Sequence, residues 1–292
     1  MTSTYSYATV ADSKGKQINL PPFMTQHVID AVNHRFTVRD DDVFIVTYPR
    51  SGTTWTQQVV HLLTNNGVQG DRHLEIVIPY LEKVSAFDGI EIFEQINSRR
   101  YFKTHLPYSM DVHHKNPNAK VIYVARNPKD CAVSCYCFWS NNSRIAYDGS
   151  WDDYFNLLIK GDTLYGDWFD HVLDWWQASL DSGNIYFIKY EDMQADLKGF
   201  VTQIAGFIDI PATPALIDKI VKMSTFSHMA GDSNTNLDWA AWRPDASARP
   251  LRKGKVGDWK NHFTDEQNAV FDKLYRERMQ GTGLDFDFGE RI

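Results

Sequence analysis

The chain has 292 residues, enough for one large or two small domains, and 43% of them are hydrophobic, with 9 Trp, 14 Tyr and 17 Phe. Such a composition supplies a sizeable core and excludes an intrinsically disordered chain. The net charge of −7 argues against a general nucleic-acid binder, so a polyanionic ligand would have to be held by locally concentrated cations.

Residues 1–20 read as a flexible leader. Met1–Gln17 is polar and lacks the apolar core of a signal peptide. No run of about 20 apolar residues occurs, so no membrane span is expected and the chain reads as cytoplasmic. A short helix is expected from Thr25 to Asn33. Val43–Thr47 is an apolar, β-branched run of strand length, and Trp55, Val59, Leu62 and Leu63 then recur at helical spacing until Asn65-Asn66-Gly67. Between them lies Tyr48-Pro49-Arg50-Ser51-Gly52-Thr53-Thr54-Trp55, a turn with three aliphatic hydroxyls, one glycine and one fixed cation. A turn that opens a helix presents free N–H groups at the positive end of the helix dipole, which suits a phosphate or another anion. The familiar Gly-Lys-Ser/Thr nucleotide loop is absent, which speaks against a P-loop kinase.

Residues 68–100 show weak periodicity, and Pro79–Glu82 reads as a surface loop or short helix. Arg100–Pro107 reads as a short strand running into a loop, with Lys103, Thr104 and His105 at its end, the favoured place for chemistry in an α/β sheet. His113 and His114 read as solvated. Lys120–Arg126 is the clearest buried strand, apolar almost throughout, and Asn127-Pro128 opens a helix behind it. Cys131, Cys135 and Cys137 share that helix; small apolar helix residues fit them better than a disulfide or a metal site. Further helices are expected from Ser150, over Tyr165–Leu180, over Met193–Ile208 and Ala215–Met223, and from Thr264 to Met279. Asn184–Tyr190 is a third buried-type strand. Residues 224–258 read as a long irregular, lid-like segment that closes on the basic run Arg252-Lys253-Gly254-Lys255. The alternation implies one α/β domain over residues 1–292, with a central parallel sheet and helices on both faces.

These pieces resemble the cytosolic sulfotransferase family. The resemblance rests on Tyr-Pro-x-Ser-Gly-Thr-Thr-Trp (48–55), Lys-Thr-His-Leu-Pro (103–107), Tyr-Val-Ala-Arg-Asn-Pro-Lys-Asp (123–130), Tyr-Glu-Asp-Met (190–193) and Arg-Lys-Gly…Gly-Asp-Trp-Lys (252–260). It implies transfer of a sulfuryl group from 3′-phosphoadenosine 5′-phosphosulfate to a hydroxyl or amine of a small acceptor, leaving adenosine 3′,5′-bisphosphate. It implies a P-loop-like cradle at Arg50, Ser51, Gly52, Thr53 and Thr54 for the 5′-phosphosulfate. Trp55, Tyr190, Ser224 and Phe226 would enclose the adenine. Arg126, Ser134, Arg252, Lys253 and Gly254 would grip the 3′-phosphate. His105 corresponds to the general base, with Lys103 beside the transferring group. Phe23, Tyr80, His105, Phe138 and Trp239 would line the acceptor site, where aromatic walls suit a flat or apolar acceptor; Trp239 and Trp242 could equally pin the lid. No metal is implied.

Two departures from the family pattern bear on function. Arg50 stands where the family loop usually has lysine; arginine keeps its charge but is effectively never a proton donor. The alternative it leaves open is a protein that binds donor or product with little turnover. In the family's dimer segment Lys260 and Thr264 match, whereas Asp265 and Ala269 replace Val and Glu, so a monomer is plausible beside the homodimer.

Overall fold

The computed structural model describes residues 6–236, 242–244 and 253–289. Among the described residues six strands are formed: β1 (Ala8–Ala11), β2 (Gln17–Leu20), β3 (Val43–Thr47), β4 (Tyr101–Thr104), β5 (Lys120–Ala125) and β6 (Ile185–Lys189). The last four make one parallel sheet in the order β4-β3-β5-β6. In chain order the helices are α1 (Gln26–Arg35), α2 (Thr53–Thr64), α3 (Leu74–Val77), α4 (Leu81–Phe87), α5 (Pro128–Asn141) and α6 (Trp151–Lys160). They continue with α7 (Trp168–Asp181), α8 (Tyr190–Ala195), α9 (Leu197–Phe207), α10 (Pro214–Met223), α11 (Phe226–Gly231) and α12 (Asp265–Met279).

The strands are apolar throughout because both faces of the sheet are covered. Alternate side chains divide between two cores. Phe44, Val46, Val121 and Tyr123 join one core, with residues of α1, α5, α6, α7 and α12. Val43, Ile45, Ile122 and Val124 join the other, with residues of α2, α9 and α10. The chain therefore leaves β3 and β5 toward opposite faces: α2 covers one, α5 the other. Adjacent parallel strands whose following helices diverge leave a crevice at their carboxyl ends, which is where ligands bind in open α/β sheets.

Below the sheet, Arg100 donates to Asp42 from Nε (2.8 Å) and Nη2 (2.5 Å), and both side chains are fully buried. The guanidinium also lies 4.9 Å from the centroid of Phe36. A forked, fully desolvated pair of this kind fixes how the β4 entry meets the β3 entry.

Several expectations are corrected. Residues 8–20 are not a loose leader: β1 and β2 pair antiparallel and bury Val10, Ile18 and Leu20. The turn between them holds because Asp12 Oδ1 accepts from the N–H groups of Lys14 and Lys16. The helix expected from Tyr165 starts at Trp168, because the Asp167 carboxylate caps it by accepting from Asp170 N; Tyr165 precedes it at φ 70°. The expected 193–208 helix is two, since Asp196 ends α8 and caps α9. Residues 226–231 of the presumed irregular segment are helical. His113 is buried against Asp111 rather than solvated, and Tyr80 is buried rather than at the surface.

Candidate active site

The crevice opens into a cavity of about 620 Å³ whose wall includes residues from the Tyr48–Thr54 turn, β4, α5, α8, α11 and the 253–255 run. Its floor is the β3–α2 turn. Gly52 sits at φ 111°, and a Cβ there would lie 2.9 Å from the Tyr190 ring, so only glycine closes this turn without displacing Tyr190. Arg50 is also left-handed, at φ 71°. Gly52 offers α2 no side-chain cap, so the first-turn N–H groups remain available to an anion. Beneath the turn, the Cys131 and Cys135 thiols donate to Pro49 O (3.1 and 3.4 Å), and the Ser51 hydroxyl lies 3.6 Å from Cys131 Sγ. Ser51 is fully buried and absent from the cavity wall, so its side chain faces α5 and not the ligand space expected for it. The cysteines clamp the turn, a role that apolar patterning could not reveal.

His105 stands at the end of β4 between two tyrosines, with the Tyr80 and Tyr165 ring centroids 5.3 and 5.5 Å away. Their hydroxyls are hydrogen-bonded to each other at 2.7 Å. His105 Nδ1 lies 2.9 Å from the Thr47 carbonyl. A carbonyl can only accept, so Nδ1 carries the proton and Nε2 keeps its lone pair. Burial and then the Lys103 charge push the imidazole down to about 3 from its ordinary 6.5. His171 Nε2 in turn donates to His105 O (3.1 Å), which fixes the backbone of His105. Lys103 itself is buried and ion-paired with Glu75. Tyr165, Thr47 and Glu75 are site residues that sequence reasoning missed. The Tyr165-Gly166 pair just before a capping aspartate was the available signal that Tyr165 belongs to a loop.

On the β5 side, Arg126 Nη1 and Nη2 donate to Arg50 O (3.3 Å) and Lys255 O (3.0 Å), and its guanidinium lies 4.6 Å from the Tyr190 centroid. Arg50 Nε donates to Ser134 Oγ at 3.2 Å, and its guanidinium lies 4.8 Å from the Phe138 ring centre. Trp55 Nε1 donates to Ser224 O (2.7 Å) and its ring meets Tyr190 edge-on at 5.4 Å. Phe226 is 40% exposed beside Gly254, where a Cβ would lie 2.4 Å from its ring. Lys253 pairs with Asp258 at 2.5 Å. Asp130, at the start of α5, accepts from Gly257 N (2.7 Å) and Trp259 N (2.9 Å), and so ties the basic run to the β5 turn. Arg252 and Trp239 lie outside the described residues.

The family model described as "Sulfotransferase domain" matches residues 40–283. The chain belongs to the sulfotransferase family. Human Sulfotransferase 1C2 is 36% identical over 259 residues, which span 86% of this chain and 87% of that protein. Mouse Sulfotransferase 4A1 is 36% identical over 278 residues, 93% of this chain and 91% of that one. Among solved structures, mouse sulfotransferase SULT7A1 complexed with PAP is similar at a TM-score of 0.75 and 33% identity, covering 90% of this chain and 93% of its own. Retinol dehydratase, at a TM-score of 0.84 over 98% and 93% of the two chains but 21% identity, shares the fold.

The protein is therefore a sulfotransferase enzyme, and the family's sulfuryl donor is 3′-phosphoadenosine 5′-phosphosulfate. The cavity of this sulfotransferase fits such a ligand. Ser224 Oγ and Arg126 Nε are buried and have no hydrogen-bond partner among the described residues. Both belong to cavity-wall residues, beside an uncapped helix start and clustered cations. Such atoms cost free energy until a polar ligand meets them.

Proposed function

We propose that this enzyme transfers a sulfuryl group from 3′-phosphoadenosine 5′-phosphosulfate to the hydroxyl of a small aromatic acceptor by in-line displacement, with His105 as general base. When bound, the donor supplies the sulfuryl group and its anionic leaving group. Arg50, the Gly52 to Thr54 main chain and the start of α2 would hold the phosphosulfate. Trp55, Tyr190, Ser224 and Phe226 would hold the adenine, and Arg126, Ser134, Lys253 and Gly254 the 3′-phosphate. Arg252 continues that run in sequence. Lys103, the remaining catalytic candidate, would leave Glu75 in part to face the transferring group.

The observation that carries the reading is the contact of His105 Nδ1 with Thr47, whose carbonyl lies at 2.9 Å and whose hydroxyl lies at 3.1 Å. Thr47 O holds the proton on Nδ1, so Nε2 is free to take a proton from an acceptor hydroxyl. In the free protein its low pKa makes it a weak base, although one that stays neutral at working pH. Lys103 and Arg50 contribute to that depression; a bound anionic donor opposes their charge and raises the imidazole toward useful basicity. Phe23, Tyr80 and Phe138 supply apolar and aromatic walls of the same cavity. Phe23 meets Tyr80 edge-on at 6.1 Å, and Phe138 meets Trp242 at 5.4 Å.

The test is transfer of labelled sulfate from the donor to a panel of phenols, steroids, amines and aliphatic alcohols in EDTA. Product on phenols supports the reading; product confined to amines or aliphatic alcohols, or dependence on a divalent metal, overturns it. Arg50 is accommodated by Ser134 and Phe138 without leaving the turn, which favours turnover over a mere binding role. We also infer a monomer. Thr264 and Gln267 form the capping box that starts α12, so Thr264 serves that helix itself. Among the described residues, no helix is long and apolar enough to cross a membrane.

A further inference from the structure

Among the described residues, Glu75 is the one carboxylate in the cavity wall. A negative charge opposes a polyanionic donor, so its place there needs a physical reason. α3 sets its position: Leu74 N donates to Asn234 O (2.9 Å) and Glu75 N to His73 Nδ1 (3.0 Å). β4 brings Lys103 to the same point, where Lys103 N donates to Pro79 O (2.9 Å). The Glu75 and Lys103 side chains are 11% and 8% exposed and form an ion pair. The Lys103 ammonium also lies 5.3 Å from the Tyr80 ring centroid, the distance at which the His105 ring stands as well. The carboxylate therefore acts on a cation that shares Tyr80 with His105.

We propose that Glu75 is a positioning residue for sulfuryl transfer: it holds Lys103 in the free protein and competes with the donor's sulfuryl oxygens for its ammonium. The inference rests on the sulfotransferase reading above and adds how that site is set before the donor arrives. A buried ammonium gives up a counter-charge only to another anion, because an unpaired charge in a poorly solvated wall is costly. The donor's sulfuryl group is such an anion, and adenosine 3′,5′-bisphosphate lacks it. The pair therefore weakens donor binding more than product binding. The two nucleotides carry nearly the same total charge, so general repulsion by Glu75 cancels between them. The contact also bears on the base. After burial, the Lys103 charge is the next cause of the low His105 pKa, and a counter-charge on Lys103 limits that effect.

The test is calorimetric affinity for 3′-phosphoadenosine 5′-phosphosulfate and for adenosine 3′,5′-bisphosphate, measured without acceptor. The donor-to-product affinity ratio should rise at least about fivefold in Glu75→Gln, as one charge-assisted hydrogen bond to the sulfuryl loses its competitor. Glu75→Ser, which removes the same charge, should do likewise and decides the matter if the glutamine variant does not fold. Glu75→Asp, which restores the carboxylate, should return the ratio close to the wild-type value. In a Lys103→Met background, Glu75→Gln should leave the ratio unchanged, because the effect passes through Lys103. A ratio that stays level or falls in both charge-removing variants overturns the inference. So does a rise that persists without Lys103, which would assign the effect to the general field of Glu75, felt also by Lys83. Failure of the phenol reading looks different: no transfer on the acceptor panel, with these affinity ratios intact. A protein that binds neither nucleotide refutes both.

Discussion

At the residue scale, function turns on which atoms are left over once the fold has taken its share. Thr47 uses its carbonyl to hold one nitrogen of His105, and the proposed mechanism rests on the other. His105→Ala should therefore abolish sulfuryl transfer, a loss of about 10²–10⁴-fold or more. It should leave binding of adenosine 3′,5′-bisphosphate nearly unchanged by calorimetry, and a variant that turns over at the wild-type rate removes the base assignment. Asp42 illustrates the opposite fate, a charge wholly consumed by structure. Removing its carboxylate leaves buried Arg100 with only the half-exposed Glu94, 3.7 Å from Nη1, as counter-charge, so Asp42→Ala should cost about 3–5 kcal/mol in denaturant unfolding without a direct effect on the cavity. A loss below about 1 kcal/mol would show that the pair is solvated in solution.

At the element scale, the β3–α2 turn is a strained device held from both sides. Tyr190 of α8 presses on Gly52 from one side, and the Cys131 and Cys135 thiols of α5 pull on Pro49 O from the other. Gly52→Ala must move the Tyr190 ring or abandon the left-handed φ, at about 1–3 kcal/mol. The expected outcome is nucleotide affinity weakened by about tenfold or more, since Tyr190 also supports Trp55 and Arg126. Unchanged affinity would mean that the turn is plastic. Asp130 plays a similar part for the 253–260 segment, holding two of its N–H groups from the first turn of α5. Elements distant in sequence are thus held together around the cavity because single capping groups bridge them.

At the scale of the whole molecule, four buried groups set the pH range of stability. His105 and His171 are depressed to about 3 and about 4, chiefly by burial. As pH falls below 6.5 the unfolded chain takes up protons that these folded imidazoles refuse, so stability is present above 6.5 and lost progressively toward 3. Glu82 and Glu191 are raised to about 8 and about 7, again by burial first. Their contribution is full below 4.5 and lost as pH rises toward 7 and 8, because the unfolded carboxyls have already ionised. The two pairs oppose each other between pH 4.5 and 6.5 and act alone outside it. Chemical unfolding should show a broad maximum there with a decline on each side, and Glu82→Gln should flatten the alkaline limb. Stability rising steadily from pH 5.5 to 8 would contradict the assignment. Sedimentation equilibrium at micromolar concentration should give the mass of one chain; a dimer mass would show that Asp265 and Ala269 do not weaken association.

Much of this was legible in the sequence because the parallel strands are buried on both faces. Their unbroken apolar runs, followed by Gly or Pro turns and helical periodicity, mark β3, β5 and β6 without reference to anything distant. The same local chemistry marks Arg50, His105 and Arg126 as polar groups stranded at strand ends. The β1–β2 hairpin escaped notice because four-residue strands in polar surroundings carry little pattern, and its stability comes from the core into which Val10, Ile18 and Leu20 insert. The contact of His105 with Thr47, the inward turn of Ser51 and the pairing of Lys103 with Glu75 all depend on segments remote in the chain. Sequence determined the elements and the kinds of group at their ends, because those follow from local periodicity and turn chemistry. Tertiary structure decided which groups are spent on one another and which are left facing the cavity, because pairing and desolvation exist only once the chain has closed on itself.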